Sequence, residues 1–332
     1  MSKTRETYKF KTEARQVLEL MIHSVYSNKD IFLRELISNS SDALDKRRFE
    51  SVKHPELSFK QEPAIHIAFD EKERVLSVAD NGIGMSRDEV KNFIGTIARS
   101  GAQEFLKALR ETREAGLPEL IGQFGVGFYA TFMVADRVQL LTRRAGEETA
   151  TLWESDGEGK YTLSETERDE AGTTVMLHLK AADEEDGLKD YAQEWEIRRI
   201  VKHYSDFVSY PIYLTVERTE VERDEKGEPV PGAEEKKVVK EEQLNSMKAL
   251  WLRDKEDVSE EEYNEFYKHI SHDWNNPLAR IQAKMEGTLE YRLLLYIPEK
   301  APFDLMLPME ARKNGLHLYI KRIFIMDDCR EL

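Results

Sequence analysis

The sequence is short of cysteine, of long apolar runs and of positive charge. Its 332 residues include one cysteine, Cys329, which excludes an intramolecular disulfide framework and a cysteine-based zinc site, so a reducing compartment is expected. No stretch reaches the roughly 18 consecutive apolar residues of a membrane helix. Lysine and arginine total 49 against 64 aspartates and glutamates, a net charge of −15. That balance speaks against passive binding along a nucleic-acid backbone, which calls for clustered cations. The opening Met-Ser-Lys-Thr-Arg-Glu is polar, with no apolar or arginine-rich leader, so the expectation is a cytoplasmic chain with no membrane attachment.

What is present suffices for a core. The chain is 40% hydrophobic, and its length suits two domains. Residues 12–26 carry an apolar stripe at helical period, from Ala14 to Val25, and Asn28 can cap a second helix reaching about Phe49. Ile65, Ile67 and Phe69 alternate as in a strand, and so do Leu76, Val78 and Asp80; the charged turn between the runs predicts a hairpin. Ser86 and Glu89 form a capping box for a helix over Arg87 to about Ile94. An apolar helix is expected over Phe128–Val134, strands at 137–143, 149–154, 173–179 and Ile212–Val216, and a helix over 190–208. From about Glu217 to Glu242 charge dominates, with Pro229 and Pro231 interspersed, which reads as a solvated linker. A new globular pattern follows, with Trp251, Trp274 and strands at Leu289–Ile297 and Leu318–Met326.

Four constellations have chemical potential. Glu35, Asn39, Asp42 and Lys46 share one polar stripe of the second helix, where an acid can polarise water beside an amide oxygen suited to Mg²⁺. Asp80-Asn81-Gly82-Ile83-Gly84-Met85 ends a strand, with a carboxylate that can accept from an exocyclic amine and glycines that admit a flat ligand. Gly122-Gln123-Phe124-Gly125-Val126-Gly127-Phe128 precedes a helix and can offer backbone N–H groups to an anion. Gly172-Thr173-Thr174 opens a strand, where a hydroxyl can assist Asp80 directly or through water. Singly, each has a plainer reading: a solvated helix face, an ordinary turn, a glycine-rich connector, a strand threonine.

In this order, the four resemble the Bergerat (GHKL) ATP-binding fold, shared by type II topoisomerase subunits, mismatch-repair ATPases, sensor histidine kinases and heat-shock chaperones. The likeness narrows with YSNKDIFLRELISNSSDALDK at Tyr26–Lys46, GTIARS at Gly95–Ser100, IGQFGVGFY at Ile121–Tyr129, APFDL at Ala301–Leu305 and IKRIFIMDD at Ile320–Asp328. These are similar to signature segments of the heat-shock protein 90 family, in its bacterial type, over nearly the whole chain. Position 93 is Phe where relatives often carry a polar residue, and position 102 is Ala where they often carry Thr.

The resemblance implies an α/β fold of the two-layer α+β kind, with an antiparallel-rich sheet covered by helices. It implies an ATP-binding domain at 1–216, a charged flexible linker at 217–243 and the start of a middle domain at 244–332. Glu35 would be the general base, positioned by Arg34, and Asn39 would ligate Mg²⁺. Asp80 would hold the adenine amine with Gly84 and Thr173, Met85 would pack on the base, and Asp42 and Lys46 would reach the nucleotide edge. Arg99 and Ser100 would touch ATP from the lid, residues 95–124. Gly122, Gln123, Phe124, Gly125, Val126, Gly127 and Phe128 would wrap the phosphates. Tyr8–Phe10 would be a strand exchanged between protomers. The expected partners are unfolded or partly folded client proteins, co-chaperones and a second copy in a homodimer, with no nucleic acid. The resemblance ends inside the middle domain, so a piece that binds ATP and hydrolyses it weakly is expected. The alternatives are a sensor kinase or a DNA-acting ATPase of the same fold. The kinase needs a phosphoacceptor His ahead of the domain, where only His23 stands, and the DNA enzyme needs basic surface.

Overall fold

The computed structural model describes residues 28–95, 127–220, 236–286, 290–301, 306 and 315–327, with the backbone of 5–9. The helix expected over 12–26 and nearly all of 95–124 lie outside the described residues. Contacts divide the chain into one unit, Met1–Ser246, and a second, Met247–Leu332.

The first unit is a mixed α/β layer structure on a nine-stranded sheet. Its strands are β1 (Arg5–Lys9), β2 (Ile65–Asp70), β3 (Val75–Asp80), β4 (Ala135–Arg143), β5 (Ala150–Ser155), β6 (Lys160–Thr166), β7 (Gly172–Leu179), β8 (Ile212–Glu220) and β9 (Lys236–Gln243). Their order is β1-β6-β5-β4-β7-β3-β2-β8-β9. All neighbours are antiparallel except β2 and β8. Strand residues alternate between buried and partly exposed, the signature of a sheet with one face on the core.

Helix α1 (Ile31–Lys53) covers that face, packing on β2, β3, β7 and the 3-10 segment Gly127–Met133. Phe32, Leu33, Ile37 and Leu44 are fully buried, each contributing about 1.5–3 kcal/mol. The N-cap is Asp30 rather than Asn28, whose Oδ1 accepts from the Asp30 N–H at 3.0 Å one step earlier. Pro55 just beyond the end stops the helix. The Ser86/Glu89 capping box is formed and opens the helical turn α2 (Arg87–Glu89), which widens into a π-type turn at Val90–Ile94. The segment Gly127–Met133 is 3-10 rather than α-helical. Helix α3 (Glu194–Tyr204) is the core of the helix expected over 190–208.

Strand pairing reaches into both ends of the charged stretch 217–243. There β8 runs to Glu220 and pairs with β9 from Lys236 onward. Ion pairs replace apolar alternation: Lys237 meets Glu217 at 3.2 Å, and Arg218 meets Glu242 at 2.9 Å and Glu194 at 2.6 Å. Residues 221–235 lie outside the described set.

The second unit holds α4 (Glu260–Ser271), capped by a Ser259/Glu262 box, and the hairpin β10 (Ala279–Met285) with β11 (Tyr291–Ile297). The strand expected over Leu318–Met326 is a tight hairpin of β12 (Leu318–Ile320) and β13 (Ile323–Met326), because Lys321 turns the chain with φ 60°. Trp251 packs on Phe266 and Tyr319, whereas Trp274 is 93% exposed.

Candidate functional site

The polar stripe of α1 does not behave as one solvated face. Asn39 is exposed and Glu35 and Lys46 are partly buried, while Asp42 is buried. Arg34, 9% exposed, folds its fork onto its neighbour: Nε and Nη2 donate to Glu35 Oε1 at 3.1 and 2.7 Å. The other carboxylate oxygen lies against Gly127, where a methyl group would sit 2.1 Å from Oε2. A side chain there would push the Glu35 carboxylate aside, so the carboxylate as placed lies between an arginine fork and bare backbone. Burial pushes the Lys46 ammonium below its ordinary value against the pull of Asp42, Glu89 and Glu50.

The second cluster gathers where β3, β4 and β7 end together. Asp80 and Thr173 face each other in the β3–β7 register, as do Thr142 and Thr173 in β4–β7. Asp80 is 5% exposed, and its Oδ1 accepts from the Gly82 N–H at 2.9 Å. Burial pushes its pKa up to about 6, although the Gly82 N–H, the charge of Arg168, the Ser40 hydroxyl and the Thr173 N–H all favour the ionised form. Gly84 has φ +65°, and a Cβ there would lie 2.0 Å from the Arg143 carbonyl, so two turns meet backbone to backbone. The Met85 N–H donates to Thr142 Oγ1 at 3.0 Å, and that hydroxyl lies 2.9 Å from Thr173 Oγ1. Ser40, one residue after Asn39, joins this cluster to α1.

Glu35, Arg34, Asn39, Asp42, Lys46, Asp80, Gly84, Met85, Gly127, Phe128 and Thr173 thus stand on α1 and on elements in contact with it or with the β3–β7 strand ends. The Phe128 ring turns into the core against Tyr129 and Trp153, leaving its backbone as the part able to meet a ligand. Arg99, Ser100, Gly122, Gln123, Phe124, Gly125 and Val126 lie outside the described residues. So does Phe10; the backbone of Tyr8 pairs with Tyr161 of the same chain. No group of three or more His, Cys, Asp or Glu side chains suited to a metal occurs among the described residues.

Sequence reasoning missed four contributors. Ser40, buried on α1, touches Asp80. Thr142, fully buried, ties Met85 to Thr173. Arg47 donates to Asn81 O at 2.7 Å, and Arg168 to Asp80 O at 3.2 Å. Nothing local in the sequence marks any of the four.

Two family models match the chain, one after the other along the sequence. A family model described as "Histidine kinase-, DNA gyrase B-, and HSP90-like ATPase" matches residues 26–181, and one described as "Hsp90 protein" matches residues 219–332. A protein of Mycobacterium tuberculosis named "Chaperone protein HtpG" is 56% identical over 98% of this chain and 50% of its own length. Proteins of the same name from Salinispora arenicola and Nocardia farcinica are each 55% identical, over 98% and 100% of this chain and 50% of their own lengths. The chain therefore spans about half the length of the curated relatives it matches. With both family models placed in order along it and more than half its residues shared with these relatives throughout, the chain belongs to the heat-shock protein 90 family.

Proposed function

We propose that the first unit binds ATP and hydrolyses it as the motor of a molecular chaperone. The observation that carries this is the buried carboxylate of Asp80, held by donors of the protein at the joined ends of β3 and β7 and aligned beside the Thr173 hydroxyl. An ionised carboxylate accepts and cannot donate, so it suits the exocyclic amine of adenine. Met85 supplies an apolar contact for the base, and Thr173 a second polar one.

The phosphates then run toward α1. Asn39 is exposed and carries an amide oxygen that would hold Mg²⁺ beside the phosphates. When bound there, the ion neutralises charge on the phosphate oxygens. Glu35 acts on the attacking water. Arg34 occupies Oε1 and fixes the carboxylate plane, leaving Oε2 beside Gly127 to take the water proton as the new P–O bond forms and the bond to the ADP oxygen breaks. In the full-length protein, a lid over 95–124 closes on ATP, two copies associate, and partly folded clients and co-chaperones bind elsewhere on the dimer. No helix among the described residues is long and apolar enough to cross a membrane. The match of residues 219–332 favours this reading over a sensor kinase or a DNA-acting ATPase.

Titration calorimetry with ADP and Mg-ATP tests the pocket. Asp80→Asn should weaken ADP binding by about ten- to a hundredfold, the cost of a charge-assisted hydrogen bond. Glu35→Ala should keep that affinity and lose turnover. Unchanged ADP affinity in Asp80→Asn removes the assignment.

A further inference from the structure

Asp80 lies among positive charges that never touch its carboxylate. Arg168, on the connection before β7, sends Nη2 to the Asp80 carbonyl at 3.2 Å and Nη1 to the Leu141 carbonyl at 3.5 Å. Arg47, on α1, donates to Asn81 O at 2.7 Å, Leu57 O at 2.8 Å and Ser58 O at 3.2 Å. The two guanidiniums therefore take successive carbonyls of the Asp80–Asn81 turn. Among the described residues, the carboxylate itself accepts from neutral groups: the Gly82 N–H, the Ser40 hydroxyl and the Thr173 N–H. The connection bearing Arg168 is pinned on both sides, by Arg143 Nη2 on the Asp169 carbonyl at 2.8 Å and by Gln61 on Glu170 at 2.8 Å. Arg143 and Glu170 are the other charged groups acting on this arginine pair, and their opposite signs offset one another.

We infer that Arg168 is a positioning residue for base selection: its fixed charge behind the turn keeps Asp80 in the accepting, ionised form, so that the site prefers a 6-aminopurine to a 6-oxopurine. The inference rests on the nucleotide reading above. A neutral carboxyl can donate to a 6-oxo group, and an ionised one cannot. Whatever sets the charge of Asp80 therefore sets the choice between adenine and hypoxanthine. Burial alone drives that carboxyl toward the neutral form, and Arg168 is the charged group that opposes it most strongly. An arginine paired directly with the carboxylate would have consumed the acceptor; one bound to the carbonyl supplies the field and leaves the oxygens to the ligand.

The test is calorimetry of the 332-residue chain with ADP and with inosine diphosphate between pH 5 and pH 8.5. Wild type should lose ADP affinity as pH falls through about 6, where Asp80 protonates. In Arg168→Met that midpoint should rise by about one unit, the usual effect of removing a nearby opposite charge. At pH 7 such a rise cuts the preference for ADP over inosine diphosphate about tenfold, since the ionised fraction roughly halves and the neutral fraction grows about fivefold. Arg168→Lys should restore the wild-type midpoint. Arg168→Gln, which keeps a donor for the Asp80 carbonyl, is a second neutral variant in case the methionine chain folds poorly. A purely structural role would lower both affinities together and leave the midpoint in place, and that result in either neutral variant overturns the inference while the ADP pocket stands. Failure of wild type to bind ADP at any pH overturns both.

Discussion

Two aspartates of the first unit are almost equally hidden, Asp30 at 1% and Asp80 at 5% exposure, and they titrate in opposite directions. Burial presses both upward. At Asp30, hydrogen bonds from Arg199, Lys189 and Tyr191 overcome it and hold the carboxyl below its ordinary value. At Asp80, the cations sit on neighbouring carbonyls and burial prevails, to about 6. Under the proposed function, the difference separates a carboxylate committed to the fold from one kept for a ligand. Asp30 fastens the start of α1 to the 189–199 region: Lys189 lies at 3.1 Å, Arg199 at 2.7 Å and the Tyr191 hydroxyl at 2.9 Å. Asp80 is held by two backbone N–H groups and the Ser40 hydroxyl, with no cation on its oxygens among the described residues, and strongly perturbed groups of this kind gather at functional sites.

The sharpest break in that comparison attacks the backbone that holds Asp80. Gly172 has φ +128°, and a Cβ there would lie 2.1 Å from the Asp80 carbonyl oxygen. Strain and collision together make Gly172→Ala the costliest change, about 3 kcal/mol or more. Chemical denaturation should show that loss, with ADP affinity falling in whatever fraction stays folded. The side-chain cluster at Asp30 is built from other elements and should keep its ion pairs. A variant as stable as wild type would mean that the β3–β7 contact yields easily, and that Asp80 is not held by backbone at all.

Next in size is a pH effect without nucleotide. A carboxyl at about 6 in the folded chain and near 3.8 unfolded contributes stability below pH 4 that is lost as pH rises through 6. The full shift corresponds to up to about 3 kcal/mol. Asp80→Asn removes the titration, so its stability relative to wild type should grow between pH 4 and pH 7, while its ADP binding weakens. Urea unfolding at the two pH values measures the difference. A flat difference means that Asp80 ionises without penalty in the folded chain.

Local spacing made part of this site legible. The Ser86/Glu89 box, the β2–β3 hairpin and the placing of Asp80 at a strand end follow from residues within a few positions of one another. What stayed hidden depends on distant chain. Arg168 reaches Asp80 across 88 positions, and Thr142 meets Thr173 across 31. Ser40 on α1 meets Asp80 at a distant strand end. Strand β9 escaped because Lys-Lys-Val-Val-Lys-Glu-Glu-Gln lacks apolar alternation; its pairing rests on backbone and on ions supplied by β8 and α3. The 3-10 form of Gly127–Met133 escaped because its apolar residues suit either helix type.

The smallest effect belongs to Asp30, because its partners can return to water. Breaking a buried pair commonly costs 3–5 kcal/mol, but the Lys189 and Arg199 side chains are 44% and 38% exposed, so solvent screening reduces the figure for Asp30→Asn to about 1–2 kcal/mol. The sign with pH is opposite to that at Asp80. A lowered carboxyl contributes stability above its unfolded pKa and loses it as pH falls toward the folded one, so the cost of Asp30→Asn should be full at pH 7 and fade below pH 4. Stability and ADP affinity then separate the two residues. Asp30→Asn should lower the first at neutral pH and leave the second within about twofold, since the groups that bind Asp30 are not those that surround Asp80. If ADP affinity fell as steeply as in Asp80→Asn, the start of α1 would have to be tensioning the nucleotide site through Arg34 and Glu35, and the division between a structural and a ligand-binding carboxylate would fail.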